Sequence, residues 1–167
     1  MKTSDSSSEN SSTDSSEVVK KQSHPFWKFF WLFFLVASLT YAWYSFYAPS
    51  NDVAWAENMA AAQEIANDSD KEMMLFFTGK WCSPCRIMKR EVFADKEVMK
   101  AINSQVIPVI IDVDDPNSAD IVKRYNAGLT PITIFTNHQG EVIDYAVGKI
   151  DKTQFLEMLK NLKTAGS

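Results

Sequence analysis

The sequence predicts an α/β domain, a mixed central sheet flanked by helices, preceded by one transmembrane helix. Three observations predict it. Residues Phe29 to Ala48 carry no charge. Two short, wholly or nearly apolar runs, "EMMLFFT" and "VIPVIIDVD", alternate with helical patterns, as buried strands of a sheet covered on both faces do. Two further strand-like runs, "PITIFTN" and "EVIDYAVG", are separated by His138, Gln139 and Gly140, which suits a hairpin.

The chain opens with "TSDSSSENSSTDSS", eight serines and no apolar residue, which cannot bury enough surface to offset the entropy of ordering. Residues 1–25 are therefore expected to form a disordered tail. Residues 26–48 follow as an anchor. At about 1.5 Å per residue, twenty uncharged residues cover about 30 Å, the thickness of a bilayer's hydrocarbon core. Trp27 and Trp31 at one end, and Trp43, Tyr44 and Tyr47 at the other, match interfacial aromatic belts. Lys20, Lys21 and Lys28 precede the span, while Pro49 to Asp70 holds no Lys or Arg, so the positive-inside rule puts the N-terminus in the cytoplasm. A cleaved signal peptide fits less well: the apolar run exceeds the usual h-region, and the "AWA" ending at Ala56 lies well beyond it.

Residues 51–163 are long enough for one modest core. They hold 13 Lys+Arg against 17 Asp+Glu, a net of −4, which argues against nucleic acid as a partner. With five glycines in the whole chain there is no phosphate-cradling loop. "DVAWAENMAAAQEIAND" reads as an opening helix with Val53, Ala56, Ala60 and Ile65 among its apolar positions. After the strand "EMMLFFT", "SPCRIMKREVF" starts a helix with Pro84 in the first turn, and "ADKEVMKAINS" continues helically. "VIPVIIDVD" is a second strand, and "DPNSADIVKRYN" a helix. Strands joined by helices predict parallel pairing, and the hairpin adds an antiparallel edge. "DKTQFLEMLKNLK" closes the domain, with Asp151 and Gln154 as a capping box and Phe155, Leu156, Leu159 and Leu162 as one apolar face.

"FFTGKWCSPCRIMKR" carries the only two cysteines, Cys82 and Cys85. A zinc site would need further ligands, and His24 and His138 lie in the tail and in a turn, so no metal site is expected beyond a conceivable two-thiolate copper carrier. A structural disulfide here would close almost no loop and stabilise little. A redox pair fits better. It opens a helix directly after a buried strand, where backbone N–H groups and the helix dipole favour a thiolate. Lys80, Arg86, Lys89 and Arg90 add positive charge nearby. Trp81 offers a flat apolar contact for partners or packs as an ordinary aromatic.

These motifs, "WCSPC" after "LFFTGK", then "AGLTPITIF" and "HQGEVIDYAVG", resemble the thioredoxin superfamily. "CRIMKREVFADKEVMKAI" with "IPVIIDVDD" is similar to the C-terminal thioredoxin-like domain of bacterial membrane thiol:disulfide interchange reductases. The resemblance implies a thioredoxin-like fold over residues 51–163, with Cys82 as the exposed nucleophile and Cys85 as the buried resolving thiol. It implies that Ser83 and Pro84 form the active-site loop, that Pro131 is cis and faces the disulfide, and that Thr130 offers backbone to a substrate strand. Phe76 stands where thioredoxins keep a buried Asp, and Lys89 where interchange reductases often keep an acid. Glu91 replaces them only if it turns inward.

The expected function is thiol–disulfide exchange outside the cytoplasm, with protein disulfides or dithiols as substrates and a membrane electron-transfer partner as donor. No cofactor is expected. The implied location is a bacterial inner membrane, single-pass, with the thioredoxin-like domain in the periplasm. A non-catalytic binding or chaperone module, or a metal- or haem-maturation helper, are the alternatives.

Overall fold

A computed structural model describes residues 25–47 and 51–165. The tail expected over residues 1–25 lies outside them but for Pro25, and so does Ala48 at the end of the predicted span. The chain divides into two compact units, one reaching Ala42 and the other starting at Trp43. Helix α1 spans Pro25–Phe46. Its segment Phe26–Phe46 is long and apolar enough to cross a membrane by length and composition. All its described side chains are exposed, and Trp27 and Trp31 meet at 6.4 Å on one side of it, as i, i+4 neighbours do.

The domain runs α2 (Met59–Ser69), β1 (Glu72–Thr78), α3 (Ser83–Glu91), α4 (Lys96–Gln105), β2 (Val106–Asp112), α5 (Ala119–Arg124), β3 (Ile132–Thr136), β4 (Val142–Val147) and α6 (Lys152–Ala165), with a 3₁₀ turn at Pro116–Ser118. The sheet order is β2-β1-β3-β4. Six consecutive residues of β1 are buried, because helices cover both faces of this central strand. Met74 and Phe76 pack with α3, α4 and α6, while Met73, Leu75 and Phe77 pack with α2 and α5. Phe93 joins the first layer together, with ring centroids 4.8 Å from Phe76, 5.6 Å from Phe155 and 5.5 Å from Trp55.

Most elements stand where the sequence puts them. The capping box forms both ways: Asp151 N–H donates to Gln154 Oε1 at 3.1 Å, and Gln154 N–H to Asp151 Oδ1 at 2.9 Å. Phe155, Leu159 and Leu162 are buried. At the hairpin, Gly140 adopts φ +80, and a Cβ there would stand 3.1 Å from Tyr125 Oη.

Two expectations are corrected. Residues 52–57 are not helical. Ala56 N–H donates to the Pro108 carbonyl at 2.8 Å and bridges Val109, so tertiary pairing holds this stretch extended. The helix starts only where Asn58 Oδ1 accepts from Ala61 N at 2.9 Å. It buries Ala62 and Ala66, whose small side chains allow close approach to the sheet, and leaves Ala60 and Ile65 outside. The second correction concerns pairing. β2 runs parallel to β1, but β3, although joined to β2 through a helix, runs antiparallel beside β1. Six residues of α5 extend about 9 Å, too little to carry the chain back along a seven-residue strand of about 23 Å. The chain therefore re-enters the sheet from the end it left, opposite Phe77, and that end is where β1 delivers Cys82.

Candidate functional site

Strand β1 ends at Thr78, and a short loop leads to Cys82, the N-cap of α3. Cys82 keeps extended backbone (φ −74, ψ 92), and its Sγ accepts the Cys85 N–H at 3.2 Å. Cys82 Sγ thus sits on an otherwise unpaired helix-terminal donor, at the positive end of the dipole, where a thiolate is stabilised. The sulfurs form a disulfide, with Cα atoms 5.2 Å apart. Cys82 retains 9% of its surface and Cys85 1%, so any partner meets Cys82 first. The exposure expected of Cys82 is thus corrected to a residue that is largely covered.

Trp81 is 85% exposed, which removes the packed-aromatic reading. Ser83 is exposed and Pro84 half-buried in the first turn of α3. Arg86 holds this turn, donating to Ser83 Oγ at 3.1 Å and to the Lys80 carbonyl at 3.4 Å. The Thr130–Pro131 peptide is cis. Pro131 is buried, its carbonyl accepting Gly148 N–H at 2.8 Å, while Thr130 lies just outside the ladder that begins at Ile132. Because Ile132 pairs with Phe77, the cis corner and the dithiol loop occupy one end of the sheet. His138, in the hairpin at the other end of β3, pairs with Asp70 at 3.1 Å, which leaves it no part in a Cys–His arrangement.

Sequence reasoning missed Asp114. Its Oδ2 accepts Lys80 N–H at 2.7 Å and sits 3.1 Å from where a Gly79 Cβ would stand. It therefore ties the dithiol loop to the exit of β2, and only glycine fits at position 79 without displacing it. No local signal marks a contact spanning 34 residues.

The two positions where the resemblance implies an acid, 76 and 89, are filled differently. Phe76 is fully buried in the same apolar cluster as the two cysteines. Glu91 does not turn inward; it is half-exposed and pairs with Lys149 at 2.9 Å. Lys89, one turn beyond Cys85, is half-buried. Burial pushes its amine below the ordinary lysine value, and the Asp112 carboxylate pulls it partly back. The folded chain thus holds this proton less tightly than the unfolded chain. The charged amine costs stability below the folded pKa, and the cost fades as pH rises toward 10.5. Lys89→Met is expected to raise the unfolding midpoint at neutral pH by an amount worth less than about 1 kcal/mol. The gain should shrink on approach to pH 10.5. Thermal melts across that range check it, and a midpoint that falls at neutral pH contradicts it.

A mixed four-stranded sheet with a cysteine pair at the strand-to-helix turn and a cis-proline at the same end of the sheet is the arrangement of a thioredoxin-like fold. The family model described as thioredoxin-like domain matches residues 59–163, and the chain belongs to that family. It is 27% identical over 100 residues to the thiol:disulfide interchange protein DsbD of Yersinia pestis, covering 58% of this chain but only 17% of that protein. It is 31% identical over 110 residues to thioredoxin H3 of Arabidopsis thaliana, covering 66% of this chain and 83% of that one. The solution structure of a thioredoxin from Thermus thermophilus superposes with a TM-score of 0.63 at 21% identity, over 69% of this chain and 90% of that one.

Proposed function

We propose that this chain is a membrane-anchored thiol:disulfide oxidoreductase that works outside the cytoplasm, in the reducing direction, with Cys82 as nucleophile and Cys85 as resolving thiol. One observation carries the reading: the Sγ of Cys82, the more accessible of the two cysteines, rests on the Cys85 N–H at the start of α3. In the reduced protein the Cys82 thiolate attacks one sulfur of a client disulfide. A mixed disulfide forms and one client thiolate leaves. The Cys85 thiolate then attacks Cys82 Sγ, the second client thiolate leaves, and the Cys82–Cys85 disulfide remains. Two electrons have passed to the client, whose thiolates take up the protons of the two protein thiols.

Thr130 and Pro131 supply the edge along which the client lies, and exposed Trp81 the apolar contact on the other side. Renewal needs a dithiol donor, a membrane electron-transfer partner in this reading. Helix α1 and the lysines before it support an inner-membrane anchor with a cytoplasmic N-terminus and a periplasmic domain. Similarity to the thiol:disulfide interchange protein DsbD supports disulfide exchange as the reaction.

The test is reduction of insulin disulfides by the full chain in detergent micelles with dithiothreitol as donor, paired with the potential measured against glutathione. Catalysis clearly above the dithiothreitol background is expected, with a potential nearer −270 mV than −120 mV. Background rates with client binding intact would make the domain a holder, and a potential near −120 mV an oxidant.

A further inference from the structure

The side of the sheet away from α3 carries an open groove of about 420 Å³ beside β4. Its floor is Ile132 and Ile134 of β3, and their register partners Val147 and Tyr145 form the outer wall. Tyr125, at the end of α5, forms the inner wall and is pinned there by its hydroxyl on the Gly140 carbonyl at 3.0 Å. The apolar side chains are not covered: Leu129 is 70% exposed and Tyr145 63%, with Val142 and Val147 also exposed. Such a concentration of apolar surface in a concave site marks a binding surface.

The occupant is narrowed by three features. The groove reaches the dithiol end of the sheet, because Leu129 precedes Thr130 and Val147 precedes Gly148, whose N–H holds Pro131. β4 is an edge strand of the sheet, and on its outer backbone Tyr145 N–H is held by the neighbouring Asp144 carboxylate at 2.8 Å, a contact that an added strand would replace. Eight residues line the groove, against roughly 20–30 a side in a stable interface between folded proteins, so it suits a segment better than a second copy.

We propose that this groove holds the apolar residues flanking the cysteine of an extended client polypeptide, so that the protein favours disulfides set in strand-like or unfolded apolar segments. The proposal rests on the disulfide-exchange reading above and adds a specificity site on the sheet face opposite the dithiol helix.

The test uses the full chain in micelles and two synthetic peptides, each joined to glutathione through one cysteine, with either leucine and valine or serine and glycine around it. The wild type is expected to favour the apolar peptide by about tenfold in kcat/KM, the scale of burying one aliphatic side chain. Tyr145→Asp should erase that preference and leave reduction of oxidised glutathione unchanged. Tyr145→Thr, which keeps strand propensity, should reduce it. Ile143→Asp should leave it intact, because the β-bulge between Val142 and Asp144 puts Ile143 beside Leu162 of α6 rather than in the groove. Equal turnover of both peptides by the wild type, or loss of both with Tyr145→Asp, overturns the proposal. So does a wild-type dimer that Tyr145→Asp separates, or wild-type binding to phosphatidylglycerol vesicles that the substitution abolishes. A cysteine-free apolar peptide separates the two readings. If it binds the wild type but not Tyr145→Asp while no disulfide is exchanged, the groove stands and the catalytic reading falls. If exchange proceeds without such binding, the reverse holds.

Discussion

Cys82→Ser is expected to lower disulfide exchange by about a thousandfold or more, the scale seen when a nucleophile is removed. Cys85→Ser should instead stall the reaction after its first half. Cys82 is the cysteine that retains accessible surface, and its Sγ rests on a helix N-terminal N–H, whereas Cys85 has 1% of its surface exposed. A client disulfide therefore reaches Cys82 first, and without Cys85 nothing releases the mixed disulfide. Mass spectrometry under non-reducing conditions should show one client chain bound per protein, attached at Cys82. Both variants should melt within a few degrees of the wild type, since the lost disulfide spans three residues of sequence and restricts the unfolded chain little. Activity surviving in Cys82→Ser, or an adduct attached at Cys85 of the wild type, would assign the roles the other way.

Phe93→Ala should produce the largest loss of stability, about 3–5 kcal/mol. Its fully buried ring makes edge contacts with Phe76, Phe155 and Trp55, and so joins β1, α6 and the extended segment before α2. Truncation removes the burial of one ring and leaves a cavity that three others cannot fill without leaving their own contacts. At roughly 4–8 °C per kcal/mol for a domain near this size, the melting temperature should fall by more than about 10 °C. A shift under about 3 °C would mean that the cluster collapses around the gap.

How far the chain was legible follows from the range of each interaction. β1 was readable because its run "EMMLFFT" is apolar on both faces, and α6 because Asp151, Gln154 and the leucine spacing lie within four turns. The segment 52–57 misled because its alanines favour helix locally, while its backbone is claimed by Pro108 about 50 residues away. β3 misled because a helical link ordinarily signals a parallel crossover, and here that helix is too short to make one.

By itself the sequence determined the apolar span, the alternation of strands and helices, and a dithiol set at a helix start. All of these are written in neighbouring residues, through charge, period and capping. Only the tertiary structure decided how the dithiol is surrounded. It brought the cis corner at Pro131 to the end of the sheet that holds Cys82, tied the loop through Asp114, and half-buried Lys89 one turn beyond Cys85. It also left the apolar face of β4 open beside that corner. These depend on which strand lies beside which, and that is set by packing across the whole domain rather than by any stretch of it.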